Sequence, residues 1–445
     1  MVFSSVTFIF YFLVIVIFLY ALAKGAYKNG VLLVASLFFY FYGEGIMTLI
    51  LIGVLLFSYY YAKVIERWHS LKTLAIGLVI CFAPLIYYKY SGFILGNFGI
   101  AFKVALPLGI SFFSFQAASY LIDVYRKDVR ASNSLVNYGT YLTFFGQLVA
   151  GPIVRYETIA KEVEKERAFN SDEAYLGLRR FVLGLFKKCV IANTLGMAIS
   201  ELAAYDSAVI LWLVILMEVL ELYYDFSAYS DMAIGLGLFF GFHFLENFDH
   251  PLFATSIRTF WQKWHISLGT WFKDYVYFPL GGSRCSKFRH IFNLLLVWGL
   301  TGLWHGAAWN FVLWGLYFGI VIILERYTIL KKVVTIKYVN HLYTLFVVLI
   351  GFVFFNHSAA FEYIAGLFDF SHFIDPISIY YLKSYAVLII VSLVGATPLM
   401  KEIFLKLSLW SNFKYVEVFG IFALFLLSVS YLLGLGFNPF LYFRF

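Results

Sequence analysis

The chain has 445 residues, of which 62% are hydrophobic and only 13% charged, and its mean hydropathy is +0.84. Soluble domains are about half apolar and about a quarter charged, so too few charges remain here to clothe a water-soluble surface, and lipid must solvate much of the chain. The net charge of +8 does not point to nucleic acid, because the basic residues sit in short segments between apolar runs and form no basic-aromatic recognition motif.

A membrane span needs about 20 apolar residues. In chain order the candidates are 2–23, 31–61, 72–88, 104–122, 207–224, 291–303, 306–325, 341–355, 384–399 and 416–435. The first, Met1 to Ala23, has no early positive charge and no clear small-residue cleavage site before Lys24, so a retained span is expected rather than a signal peptide. The 31–61 run is broken near Gly43-Glu44-Gly45 and is expected to hold two spans. Residues 138–154 contain Gln147, Gly151 and Pro152, which suggests a bent or re-entrant segment. Irregular backbone at membrane depth is tolerated only inside protein or along a wet cavity. No Pro/Gly/Ser linker divides the sequence, so one all-α, multi-span membrane domain is expected over residues 1–445.

Lysine and arginine set the expected orientation. Lys24 and Lys28, then Lys63, Arg67 and Lys72, then Arg126, Lys127 and Arg130 follow successive apolar runs. The segment 155–188 is the most basic, with Arg179, Arg180, Lys187 and Lys188 among its cations. These segments, and the later ones around Arg326 and Lys401, read as cytoplasmic. The loop 356–382 holds Glu362, Asp369 and Asp375 without Lys or Arg and reads as external. On this count both termini lie outside.

Polar residues within apolar runs are costly and are functional candidates by default. Two of the nine histidines lie among tryptophans and glycines: His265 in Phe260-Trp261-Gln262-Lys263-Trp264-His265, and His305 in Gly302-Leu303-Trp304-His305-Gly306. A buried imidazole tends to stay neutral, and a neutral imidazole can take a proton from an attacking hydroxyl. A histidine hydrogen-bonded between helices as polar glue fits the same pattern. Gly302 and Gly306 would let a substrate or a neighbouring backbone approach closely.

The stretch 258–284 mixes Arg258, Lys263 and Lys273 with Trp261, Trp264, Trp271 and Tyr275. It suits an amphipathic segment at the cytoplasmic interface, and its cations could also meet the phosphates of a nucleotide-containing donor. In Tyr223-Tyr224-Asp225-Phe226-Ser227-Ala228-Tyr229-Ser230-Asp231 two carboxylates close an apolar run. Without His or Cys at ligand spacing, helix capping and polar packing at a bend are expected there rather than a metal. The cysteines Cys81, Cys189 and Cys285 are too far apart to suggest a metal site, and there is no G-x-S-x-G elbow of a serine hydrolase.

Several of these segments together resemble the bacterial polysaccharide O-acetylation branch of the membrane-bound O-acyltransferases. They are Tyr224-Asp225-Phe226-Ser227-Ala228-Tyr229-Ser230-Asp231-Met232-Ala233-Ile234-Gly235, Glu246-Asn247-Phe248, the runs from Phe260 to Leu268 and from Trp271 to Gly282, and Gly302-Leu303-Trp304-His305-Gly306. The opening Met1-Val2-Phe3-Ser4-Ser5 and the ending Pro439 to Phe445 are similar as well. The resemblance implies a helical ring with a central tunnel and re-entrant segments. His305 matches the family's catalytic histidine, and His265 matches a second histidine near the tunnel.

The resemblance further implies acetyl-CoA as the cytoplasmic donor, with no cofactor held. Arg258, Lys263, Trp264 and Lys273 are then expected near donor entry. The acetyl group would be passed outward to a separate extracytoplasmic O-acetyltransferase acting on an exported polysaccharide such as alginate or peptidoglycan. The expected location is a bacterial cytoplasmic (inner) membrane. Phe440-Leu441-Tyr442-Phe443 is similar to the tail of a small partner protein in the related D-alanine system, so Tyr442 is either a built-in acyl relay or an interfacial aromatic anchor. Two other functions share the polar features: a transporter of a lipid-linked sugar, which would survive loss of His305 better, and a non-catalytic scaffold, which would tolerate loss of both histidines.

Overall fold

The computed structural model describes residues 2–410 and 412–435; the secondary structure of the described residues is helical, joined by turns and irregular chain, with no strand among them. Tyr442 lies outside them. Six of the helical runs are long and apolar enough to cross a membrane: Tyr27–Trp68, Leu71–Gly96, Ser171–Leu202, Trp309–Tyr327, Val339–Asn356 and Phe413–Gly434. The pair Pro376–Ser384 and Ala386–Gly395, bent by 51°, makes a seventh if it is one span, and Thr7–Leu22 is a shorter apolar helix. Only 11% of the apolar window of Phe413–Gly434 is buried within the protein. Val416, Phe419, Phe422 and Leu433 are all exposed on that helix, and a helix apolar all round with so little protein cover has lipid as its solvent.

The contacts divide the chain into two compact units, Met1–Gly184 with Tyr229–Glu246, and Leu185–Ala228 with Asn247–Phe445. In the first unit the helical run Tyr27–Trp68 is interrupted where expected. Helix Tyr27–Glu44 ends at Gly45, whose φ of 54° is open to glycine at little cost, and helix Thr48–Trp68 follows a single tight turn. The helix anticipated from residue 104 instead begins at Ile110 and continues to Arg126. Gly109 in the left-handed conformation starts it, and a Cβ there would meet the Leu148 carbonyl oxygen at 2.5 Å.

Residues 138–154 form two short helices, Leu135–Thr143 and Phe145–Leu148, and then irregular chain. The whole stretch is buried, as non-helical backbone in a membrane protein must be. Its tyrosines join a cluster in which Tyr120 lies 4.5 Å from Tyr138 and Tyr141 lies 5.1 Å from Tyr156, ring centre to ring centre. The polar tips are satisfied: Tyr138 donates to Ser58 Oγ at 2.7 Å, and Tyr120 accepts from the Ser132 amide at 2.8 Å.

Two expectations are corrected. The basic segment 155–188, taken to lie between apolar runs, is partly within one: after helix Tyr156–Glu164, helix Ser171–Phe186, a wide turn at Lys187–Ala192 and helix Asn193–Leu202 form the apolar run Ser171–Leu202. The carboxylates Asp225 and Asp231 do not cap a helix at a bend, because both lie inside the 32-residue helix Ala208–Phe239. One physical reason covers both errors. Lys188 Nζ and Asp225 Oδ1 are 2.7 Å apart with both side chains buried, and Arg180 pairs with Asp231 at 3.0 Å and also with Glu246. Charges that neutralise one another can be retained within helices, whereas composition alone assigns each to a loop or a cap.

Candidate active site

The second unit holds both histidines. Helix Lys287–His305 stops at His305, and Trp309–Tyr327 begins four residues later. Glycines bring the two helices together. A Cβ on Gly302 would sit 2.2 Å from the Phe311 carbonyl oxygen, and one on Gly315 would sit 2.2 Å from that of Trp298. The close approach foreseen for Gly302 is therefore to neighbouring backbone. It carries His305 into a dense aromatic enclosure. Trp304, Trp314 and Phe355 place their ring centres 5.0, 4.9 and 5.5 Å from the imidazole, each edge to face. His305 is 4% exposed.

His265 reaches the same place from a different element. It sits between the short helices Ile257–Lys263 and Ile266–Phe272, neither of which belongs to a candidate span. Its backbone is left-handed, with φ 47° and ψ 53°, a conformation that costs a residue with a side chain about 1–3 kcal/mol. Asn247 holds the turn. Its carbonyl oxygen accepts from the Ile266 amide at 3.0 Å, and its Oδ1 accepts from the Ser267 amide at 3.2 Å and the Ser267 hydroxyl at 2.9 Å. The imidazole Nδ1 is 3.3 Å from the same Oδ1, while Nε2 has no hydrogen-bond partner among the described residues. Phe226 packs its ring 4.6 Å away, and Trp304 lies 5.6 Å off. Complete burial pushes the His265 imidazole down to about 3, so it is neutral at physiological pH.

The two imidazole centres are 6.4 Å apart. They share the Trp304 ring, whose centre lies 5.6 Å from His265 and 5.0 Å from His305. Two titratable rings in one dry, rigid enclosure can move a proton between bound groups while excluding bulk water.

The other expected residues divide. Trp264 is buried beside His265 and stacks on Phe260 at 5.5 Å, with Phe248 and Phe352 against it. It is part of the buried aromatic core next to the His265 turn. Lys263 is half-exposed and pairs with Asp249 at 3.2 Å. Hydrogen bonding from His250, then from Lys263, holds the Asp249 carboxyl below its ordinary range. Arg258 is exposed at the start of its helix, where the Glu325 carboxylate accepts the amides of Ile257 and Arg258 at 2.8 and 3.3 Å. Lys273 is exposed, with Nζ 5.5 Å from the centre of the Phe278 ring. Arg258, Lys263 and Lys273 are thus surface groups, outside the buried enclosure.

Sequence reasoning treated Asn247 only as part of a motif and did not assign it a task. It also missed the Lys188–Asp225 pair and the group at Glu218, whose carboxylate meets His357 at 3.1 Å and Asn356 at 2.9 Å. A polar residue between apolar runs was the available signal in each case.

Comparison with known proteins identifies the family. The chain is 37% identical over 396 residues to a protein of Azotobacter vinelandii named "Probable alginate O-acetylase AlgI", covering 83% of this chain and 78% of that protein. It is 34% identical over 371 residues to a peptidoglycan O-acetyltransferase of Helicobacter pylori, covering 73% and 70%. A teichoic acid D-alanyltransferase of Bacillus subtilis is 28% identical over 226 residues, covering 48% and 57%. The family described as "MBOAT, membrane-bound O-acyltransferase family" matches residues 4–365. With that match over most of its length, and relatives that transfer acyl groups, the chain belongs to the membrane-bound O-acyltransferase family and is a multi-span membrane acyltransferase.

Proposed function

We propose that this protein takes an acetyl group from acetyl-CoA on the cytoplasmic side of a bacterial inner membrane and passes it outward, for O-acetylation of an exported envelope polysaccharide such as alginate or peptidoglycan. The observation that carries this reading is the buried His265–His305 pair within one aromatic enclosure. The names of the relatives support acetyl as the group moved. His305 acts as general base: it accepts the proton of an attacking hydroxyl, the oxygen adds to the thioester carbonyl, the C–S bond breaks, and the proton returns to the departing sulfur. His265 positions the reacting group or shares its proton.

The attacking hydroxyl in this scheme is the phenol of Tyr442. A phenol (pKa about 10) needs a base to attack, and its ester is a good leaving group for onward transfer. A separate extracytoplasmic transferase then receives the acetyl group. Arg258, Lys263 and Lys273 attract the phosphates of the donor near its entry.

The test is isotope-labelled acetyl-CoA added to lipid-reconstituted protein, followed by digestion and mass spectrometry. Label on the peptide containing Tyr442, lost in His305→Ala, supports the scheme. Donor consumption with a partner transferase but no labelled peptide removes Tyr442 from it. No consumption of acetyl-CoA removes that donor.

A further inference from the structure

We infer that Asn247 is a positioning residue that holds His265 in the tautomer protonated at Nδ1, leaving Nε2 to accept a hydrogen bond from an O–H or N–H of the bound ligand. The argument rests on which atoms are able to donate. The Ser267 backbone amide can only donate, and it meets the Asn247 side chain at 3.2 Å. The atom it meets must therefore be the carbonyl oxygen, which fixes the orientation of the Asn247 amide. That oxygen can only accept. Ser267 Oγ also gives its proton to it, at 2.9 Å. The third group on the same oxygen is His265 Nδ1 at 3.3 Å, and it too must donate. Ser267 Oγ, 3.4 Å from Nδ1, has already committed its proton to Asn247 and does not compete for the role of donor.

A neutral imidazole carries one N–H. With that proton on Nδ1, Nε2 presents a bare lone pair. It is fully buried and has no partner among the described residues. A buried acceptor without a donor is penalised, and the left-handed backbone of His265 is a second penalty at the same residue. Both become intelligible if a ligand completes the site. The ligand must bring a hydrogen-bond donor, which selects a hydroxyl or an amide N–H and rejects groups that only accept. Within the proposed function, on which this inference rests, such donors are the amides along the pantetheine arm of an acyl-CoA, because the single proton of the attacking hydroxyl goes to His305.

The test is nitrogen NMR of the full-length protein, labelled in histidine and reconstituted in lipid, with His265 assigned by loss of its signal in His265→Gln. A protonated Nδ1 and a bare Nε2 are expected. Asn247→Asp, which keeps an accepting oxygen, should preserve that pattern. Asn247→Leu should lose it and lower acetyl transfer at least tenfold, less than the about 10²–10⁴ of a group that itself transfers the proton. Asn247→Leu should also weaken acetyl-CoA binding, and intact binding would remove the pantetheine amide as the donor. A bare Nδ1 in the unmodified protein overturns the inference, as does an Asn247→Leu variant with unchanged tautomer or unchanged turnover. If that variant does not assemble, the unmodified spectrum and Asn247→Asp decide. Failure of the proposed function would show separately, as no transfer from acetyl-CoA by the unmodified protein while the tautomer pattern stands.

Discussion

The ring of His265 lies 6.4 Å from the ring of His305, although the two residues are 40 positions apart and belong to differently built elements. His305 ends a long helix, and His265 occupies a strained turn between two short ones. The spacing is too long for a direct hydrogen bond between the rings.

Replacing His305 by alanine should lower acyl transfer by about 10²–10⁴-fold, the usual contribution of a general base. Some thermal stability should be lost as well, because the truncation leaves a cavity among Trp304, Trp314 and Phe355, so turnover is read per folded protein. Turnover by the purified variant, read beside its unfolding curve, checks both halves. A variant with full turnover would remove His305 from the mechanism.

Gly302→Ala and Gly315→Ala should each destabilise the protein. The new methyl would stand 2.2 Å from a carbonyl oxygen of the facing helix in either case, and rigid backbone cannot retreat as a flexible side chain can. Overpacking of this kind costs about 1–3 kcal/mol, and the displaced helix should also lower transfer by shifting His305. Thermal unfolding in detergent together with turnover measures both.

Breaking the buried Lys188–Asp225 pair from one side should be harmful. Asp225→Ala leaves the ammonium without this carboxylate, a change worth about 3–5 kcal/mol in buried pairs. Replacing both partners with apolar residues of similar size, Lys188→Met with Asp225→Leu, should recover much of the loss. Yields of folded protein and melting temperatures for the two singles and the double make the cycle; a double no better than Asp225→Ala would give the pair a role beyond neutralisation.

Acid should destabilise the protein through His265. Its folded pKa is lowered by burial from 6.5 to about 3, so between these values the unfolded chain binds the proton more readily than the folded one. Stability from this group is therefore full above about pH 6.5 and declines as pH falls toward 3. The melting temperature should drop over that interval less steeply in His265→Gln than in the unmodified protein. Equal slopes would mean that the imidazole is not held neutral by its surroundings.

Tyr442→Phe should abolish labelling of the C-terminal peptide by acetyl-CoA and sharply reduce polysaccharide acetylation in cells. Full acetylation in that variant would leave the tyrosine as an interfacial anchor.

The membrane character, the helical class and most long apolar runs were legible in the sequence, because lipid demands continuous apolar stretches with internally satisfied backbone. The interruption at Gly45 and the buried irregular stretch near Gly151 were legible too, since glycine and proline act locally. His305 and His265 stood out as polar residues among tryptophans. Lys188, Asp225, Arg180 and Asp231 were misplaced, because a charge is penalised or tolerated according to a partner that sequence distance hides: Lys188 meets Asp225 across 37 positions.

The sequence by itself thus determined that this protein lives in lipid, and it supplied both imidazoles. Only the tertiary structure decided that they share the Trp304 ring, that Gly302 serves helix contact, and that Trp264 is buried while Lys263 and Lys273 reach the surface. It also brought Asn247 to His265 and Ser267. The apolar pattern is written residue by residue along the chain, whereas the direction of a hydrogen bond between Asn247, Ser267 and His265 exists only once the fold has brought their atoms together.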